Sequence, residues 1–238
     1  MISYSFNLIF FQPLFNALIF LYDIIPGADM GLAIIALTIL IRMVLWPLTA
    51  KSIKNQKILA ALQPRIEEVK RQHKTDKEAQ AKALMALYAE NKINPLAGFW
   101  PILIQIPIII ALWRVFLSSA SPDFGALYPF VEAPEAIKAT FLGLLDLSKR
   151  SVVLAIIAGA LQYFQTKMIM PAQISKGGGG SDFNRIMSQQ MLYFGPVISV
   201  IIFFSLPAAL PLYWTVVSLM TIFQQYMGQK NDRESGQN

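Results

Sequence analysis

The chain has 238 residues, of which 55% are apolar and 14% charged, and its mean hydropathy is +0.50. It carries a formal net charge of +6 and no cysteine, which excludes disulfides, thiolate nucleophiles, cysteine metal sites and a lipoprotein anchor. Several apolar runs of bilayer-spanning length predict an all-α, polytopic membrane protein; open sheets are excluded in lipid, and the alternation of a barrel is absent.

Residues 1–28 lack the basic start and small-residue cleavage site of a secretory signal. Gln12 and Pro13 interrupt the apolar stretch, and Asn7 and Asn16 dot it with amides. This pattern predicts a helix lying in the membrane interface, aromatic residues inward, followed by a turn through Asp23, Pro26, Gly27 and Asp29.

Residues 29–50 are the first predicted span, and Arg42 lies inside its apolar run 31–48. A guanidinium stays charged in a protein, and at the centre of a membrane helix it costs roughly 2.5–3.5 kcal/mol. Such a group faces a bundle interior or a wet cavity, or it snorkels: Leu48 lies about 9 Å of helix rise away. Thr38, four residues earlier, extends a polar stripe on the same face.

Residues 51–94 carry the densest basic charge, with Lys51, Lys54, Lys57, Arg65, Lys70 and Arg71 among ten lysines and arginines against five acids. By the positive-inside rule this segment is cytoplasmic. Ile53, Ile58, Leu59, Leu62, Ile66 and Val69 give one helical stripe; Ala79, Ala83, Leu84, Leu87 and Tyr88 give a second. Thr75-Asp76-Lys77-Glu78 reads as a capping box between them, so the segment is expected to be a helical hairpin with an interruption at Pro64. It is either a solvated spacer or a basic surface for anionic headgroups, a ribosome or a targeting factor.

Residues 95–227 contain the other four predicted spans. Asn94 and Pro95 are the expected N-cap and first turn of the second span, 96–117, which holds Pro101, Gln105 and Pro107, with Arg114 snorkelling at its outer end. Loop 118–150 is acidic and reads as outer. Span 152–170 carries Gln162 and Gln165, and the inner loop 171–190 includes a GGGGS tract at 177–181, native or an engineered linker. Spans 191–206 and 208–227 flank a tight turn, and 228–238 is a short polar tail. This topology puts the N-terminus outside and the C-terminus in the cytoplasm.

The only histidine is His73, so paired-histidine metal chemistry is not expected. No Walker or dinucleotide glycine pattern appears, and no acid lies within the apolar run of any predicted span. What remains in the membrane is Arg42 with Thr38, Gln105, Gln162 and Gln165, at comparable depths for Arg42, Gln105 and Gln162. One wet, positively charged cavity would collect them; the alternative is that the glutamines are interhelical hydrogen-bond glue.

Four stretches carry a resemblance: Thr38-Ile39-Leu40-Ile41-Arg42 with Trp46-Pro47-Leu48-Thr49; Leu62-Gln63-Pro64-Arg65-Ile66; Met85-Ala86-Leu87-Tyr88 through Asn94-Pro95-Leu96-Ala97-Gly98 to Gln105-Ile106-Pro107; and Leu212-Tyr213-Trp214 through Thr221-Ile222-Phe223-Gln224-Gln225. With Leu145-Asp146-Leu147-Ser148 they resemble the YidC-type membrane protein insertase family, in a minimal five-span form without a large periplasmic domain. Phe99-Trp100 and the glycine tract depart from the family pattern.

The resemblance implies five helices around a hydrophilic groove open to cytoplasm and lipid. It implies a non-enzymatic, cofactor-free and metal-free insertase or chaperone of a bacterial cell membrane. Arg42 and Thr38 are then groove residues, and Trp214 meets substrate. The partners implied are nascent membrane proteins and the bilayer, with the ribosome, the signal recognition particle receptor and the Sec translocon as further candidates and no specific nucleic acid. Two rival classes stay open: a small transporter or channel with Arg42 as anion site, and a purely structural assembly factor.

Overall fold

Asp29 starts the helix on which the core is assembled. Its carboxylate accepts from Leu32 N at 2.9 Å, satisfying a donor that the first helical turn leaves without a partner. The computed structural model describes residues 2–94, 100–118, 124–169 and 182–235. The fold is mostly helical, as expected.

At the N-terminus α1 (Ile2–Phe6), a π-helical turn (Asn7–Phe11) and α2 (Gln12–Ile24) follow one another without a break. α2 buries Phe15, Leu18, Ile19 and Tyr22 against α3 (Met30–Val44) and α6 (Trp100–Ser118). Asn16, expected as a polar interruption, is buried: it accepts from Tyr128 N at 2.6 Å and donates to Ala126 O at 3.0 Å. Tyr22 accepts from Lys138 N at 2.8 Å, so the segment after α6 is strapped across α2. Tyr4–Ile24 is, among the described residues, the one helix long and apolar enough by itself to cross a membrane.

The first predicted span is not one straight helix. α3 ends at Val44, and α4 (Trp46–Gln72) leaves Leu45 at a bend of 69°. Pro47 explains the break: it lacks an N–H for the ladder, and its ring conflicts with the carbonyl four residues back. Trp46-Pro47 therefore opens the next helix, where proline is tolerated. α4 then runs unbroken through Pro64, contrary to the expected interruption.

α5 (Lys77–Glu90) is capped by Asp76, not by Thr75: Asp76 Oδ1 accepts from Glu78 N at 3.0 Å and Ala79 N at 2.9 Å. Either side chain suits the position, and the backbone turns extended one residue later than the capping box implied. α4 and α5 meet through a small cluster of Leu62, Ile66, Leu87 and Ile93, separate from the main core.

The expected helix start at Pro95 and the glycine tract 177–181 lie outside the described residues. Segment 124–150 contains a strand pair that helical reading did not anticipate, β1 (Thr140–Phe141) antiparallel to β2 (Leu145–Asp146) with Phe141 opposite Leu145. Asp29 Oδ2 accepts from Leu142 N at 2.5 Å and holds that residue at φ +53°. Phe141 packs so closely on α3 that a Cβ at Gly31 would overlap its ring.

α7 (Val152–Ile169) is a helix over the stretch expected as the third span. α8 (Asp182–Ser205) begins inside the predicted inner loop, and α9 (Ala209–Ser235) continues through most of the predicted tail. Hydropathy ends where the apolar residues end, whereas a helix ends where its hydrogen-bond ladder does. α9 is the central element and packs on α3 and α7, while α7 packs on α8. Gly159 of α7 lies so close to Val200 of α8 that a Cβ there would overlap it, the close approach that small residues permit between apolar helices.

Candidate functional site

On α3 the residues Met30, Ala33, Ile34, Leu37, Thr38 and Arg42 share one buried face, at three- and four-residue spacing. Arg42 is 9% exposed and ends that face. It sits in the last turn of α3, immediately before the bend, not in mid-helix as the sequence suggested. The last carbonyls of a helix carry partial negative charge, so this position favours a cation. Arg42 makes no ion pair or hydrogen bond with the described residues.

The other polar residues divide between two sides of α9. Tyr213 is 2% exposed, lies within electrostatic range of Arg42, and accepts a hydrogen bond from Gln105 Nε2 of α6. The Gln105–Tyr213 hydrogen bond thus links α6 and α9, and Arg42 brings the charge of α3 within range of it. Thr38 is buried beside them in sequence register, but its hydroxyl donates to Ile34 O at 2.6 Å and is committed to its own helix. Trp214 turns the other way, packing at a tilt against Phe203 with ring centroids 5.6 Å apart in a cluster with Ala155 and Ala158. Gln162 belongs to that α7–α8 side: its Nε2 lies beside Gly195, and its buried Oε1 has no hydrogen-bond partner among the described residues. The five predicted groove residues therefore do not form one contacting set.

Four polar residues of α9 complete the arrangement and were missed as site residues. Ser218, Thr221 and Gln225 recur at three- and four-residue spacing, so they share a face below Trp214. Gln225 is fully buried, and neither atom of its amide has a partner among the described residues; Ser218 Oγ is in the same condition. Buried polar groups without partners are rare, because each carries its desolvation cost uncompensated. Gln224, on the adjacent face, donates to Thr49 Oγ1 at 2.9 Å. The spacing of 218, 221 and 225 in an apolar helix was a legible signal.

The basic side chains of the α4–α5 pair behave as two groups. Lys51, Lys54, Arg65, Lys70 and Arg71 are exposed and outside the ion pairs among the described residues, which are Glu78–Lys82 and Asp146–Lys149. Lys57 is half-buried and turns toward α9, its Nζ 3.6 Å from where a Cβ at Gly228 would stand. Among the described residues no cluster of histidine, aspartate and glutamate is arranged to hold a metal ion.

Comparison with known proteins gives a consistent match. The profile of a family described as "60Kd inner membrane protein" matches residues 20–235. A protein named "Membrane protein insertase YidC" from Fusobacterium nucleatum subsp. nucleatum is 34% identical over 203 residues, covering 85% of this chain and 87% of that protein. Proteins of the same name from Geobacter metallireducens and Actinobacillus pleuropneumoniae serotype 3 are 33% and 32% identical over 216 and 228 residues. These alignments cover 90% and 94% of this chain but only 35% and 37% of those relatives, so the chain spans about a third of their length.

Proposed function

The chain belongs to the 60Kd inner membrane protein family, and from that premise we propose that it is a membrane protein insertase that receives nascent membrane segments at Arg42 and releases them sideways into lipid. In this reading α3 with the start of α4, α6, α7, α8 and α9 are the five spans. The N-terminal helix lies in the outer interface, the exposed basic face of α4 and α5 is cytoplasmic, and the C-terminus is inside.

One observation carries the reading: a buried cation at a helix bend with no acidic partner among the described residues. Its field is not cancelled locally. An acidic tail crossing the membrane gains a partner there, while a basic tail meets a like charge. At about 6 Å and an effective dielectric near 20, one pair contributes on the order of 3 kcal/mol, reduced by water to roughly 1. The partnerless amide of Gln225 and hydroxyl of Ser218 supply polar wall for a hydrated path along α9. The client's apolar segment then partitions into lipid, with no covalent step and no cofactor. Nascent chains and the bilayer are the partners this requires; a ribosome, the signal recognition particle receptor and the Sec channel fit the exposed basic face.

The test is insertion of a single-span client by the protein reconstituted alone in liposomes, with Asp, Asn or Lys at one position of the translocated tail. We expect Asp to exceed Asn, and Asn to exceed Lys, each roughly fivefold, the equivalent of about 1 kcal/mol per step, and Arg42→Ala to abolish both differences. Equal insertion of the Asp and Lys tails by the unmutated protein refutes the electrostatic account. Ion flux through the liposomes would instead support a channel.

A further inference from the structure

The N-terminal helix and α6 enclose a cavity of about 370 Å³ that the insertion reading does not use. Arg114 stands at its wall, one turn before the end of α6. Its sequence position suggests a snorkelling side chain, and Arg114 is exposed. Its guanidinium lies 4.8 Å from the centre of the Phe11 ring, and Nη1 donates to Asn7 Oδ1 at 2.5 Å. An amide and a ring thus orient the cation, and no carboxylate among the described residues neutralises it.

Both of these partners belong to the π-helical turn Asn7–Phe11. A π-turn inside an α-helix costs stability and occurs mostly where it re-aims side chains for function. Here it brings Asn7, Leu8 and Phe11 to the cavity wall together. Tyr4 and Gln12 add a hydroxyl and an amide to the same wall. Leu8 and Tyr4 are 52% and 73% exposed, so the cavity continues into an open apolar rim.

We propose that this cavity binds the headgroup of an anionic phospholipid, with Arg114 as the phosphate ligand. The remaining guanidinium N–H donors match phosphate oxygens as a fork. Asn7 and Phe11 hold the fork in place, and Tyr4 and Gln12 offer polar contacts to the rest of the headgroup. The rim of Leu8 and Tyr4 takes the acyl chains, which a soluble anion would not need. A zwitterionic headgroup adds an ammonium for which the described residues of this wall offer no carboxylate.

Native mass spectrometry of the whole chain in detergent tests the site with three probes: phosphatidylglycerol, phosphatidylcholine and inorganic phosphate. The expected result is one retained phosphatidylglycerol per chain, bound about tenfold better than phosphatidylcholine, with about tenfold loss in Arg114→Gln. Asn7→Ala, which only frees the cation, should weaken retention several-fold, and Arg42→Ala should leave it intact, so this site and the insertion site fail separately. Equal phosphatidylglycerol retention by the unmutated protein and Arg114→Gln overturns the proposal. Displacement of the lipid by phosphate, with no preference for phosphatidylglycerol, overturns the lipid assignment in favour of a soluble anion. If Arg114→Gln loses its helical circular dichroism, Asn7→Ala and Arg114→Lys decide: unchanged retention in both overturns the proposal, and reduced retention in the folded variants supports it.

Discussion

Gln224 Nε2 donates to Thr49 Oγ1 at 2.9 Å, tying α9 to the first turn of α4 just beyond the bend that follows Arg42. Thr49 in turn lies 3.0 Å from Leu45 O, the carbonyl of the bend residue itself. Trp46 packs edge-on against Phe223 beside this pair, with centroids 6.1 Å apart. Both side chains of the hydrogen bond are buried; losing Thr49 strands the Gln224 amide, and losing Gln224 leaves the Thr49 hydroxyl only the carbonyls of Leu45 and Trp46. Gln224→Ala is expected to cost about 1–3 kcal/mol, read as a lower thermal midpoint of the purified protein in detergent. Thr49→Val should cost a similar amount, and the double variant clearly less than the sum. Additive losses would show that the pair is not coupled.

The contact between α7 and α8 depends on the absence of a side chain. Gly159→Ala inserts a methyl into the space held by Val200 and should destabilise the protein by roughly 1–3 kcal/mol, the usual range for overpacking. Val200→Ala on the same background should recover most of the loss. Thermal unfolding of the three variants checks this, and a failure of the second change to rescue would locate the strain elsewhere.

Arg42 has no carboxylate partner among the described residues to demand a bidentate fork. Arg42→Lys is therefore expected to keep part of the insertion activity that Arg42→Ala loses, at equal expression. If lysine is as inactive as alanine, the geometry of the guanidinium matters and charge alone is an insufficient account. The rate of insertion into liposomes is the measurement.

Asp146 closes a small turn after β2. Its carboxyl is held below its ordinary value of 3.8, first by the hydrogen bond from the Ser148 hydroxyl and then by that from Lys149. A depressed folded pKa means that these contacts contribute to stability above the ordinary value and lose that contribution as pH falls through the folded one. The side chain is partly exposed and its contacts are screened by solvent, so the effect belongs to the turn and not to the global fold. Ser148→Ala should raise the Asp146 pKa toward its ordinary value, measured by NMR titration of its side-chain carboxyl. No change on removing the hydroxyl would exclude it as the main cause.

Among the described residues the α4–α5 pair is held together by a small cluster with four buried residues, Leu62, Ile66, Leu87 and Ile93. Regions with few buried contacts open locally before the whole molecule does. Hydrogen exchange should thus be faster in α5 than in α3 or α9, and Leu87→Ala should accelerate α5 selectively. Uniform protection across α3, α5 and α9 would contradict this separation.

Helical class, an apolar chain with one basic segment, and the ionisable residue Arg42 were all legible in the sequence. Each follows from composition and period, which neighbours in the chain determine. Trp46-Pro47 contained the bend as well, since proline breaks the ladder wherever it falls; its side of the break was decided by the backbone. Pro64 shows the limit of that rule, because α4 continues through it while packing through Leu62 and Ile66.

Partners across space were not legible. Tyr213 and Trp214 are adjacent in sequence, yet one faces Gln105 and the other Phe203, because successive helical residues point about 100° apart and different helices flank α9. The same rise-counting that assigned Gln105 and Gln162 similar depths gave no information on azimuth around the bundle. Asn16 and Gln225 look alike as isolated polar residues in apolar helices. Only tertiary structure distinguishes them: Asn16 is satisfied by the strap at Tyr128 and Ala126, while Gln225 is buried with its amide unmatched among the described residues. Hydrogen-bond satisfaction depends on which distant backbone arrives within 3 Å, and no local pattern encodes that distance.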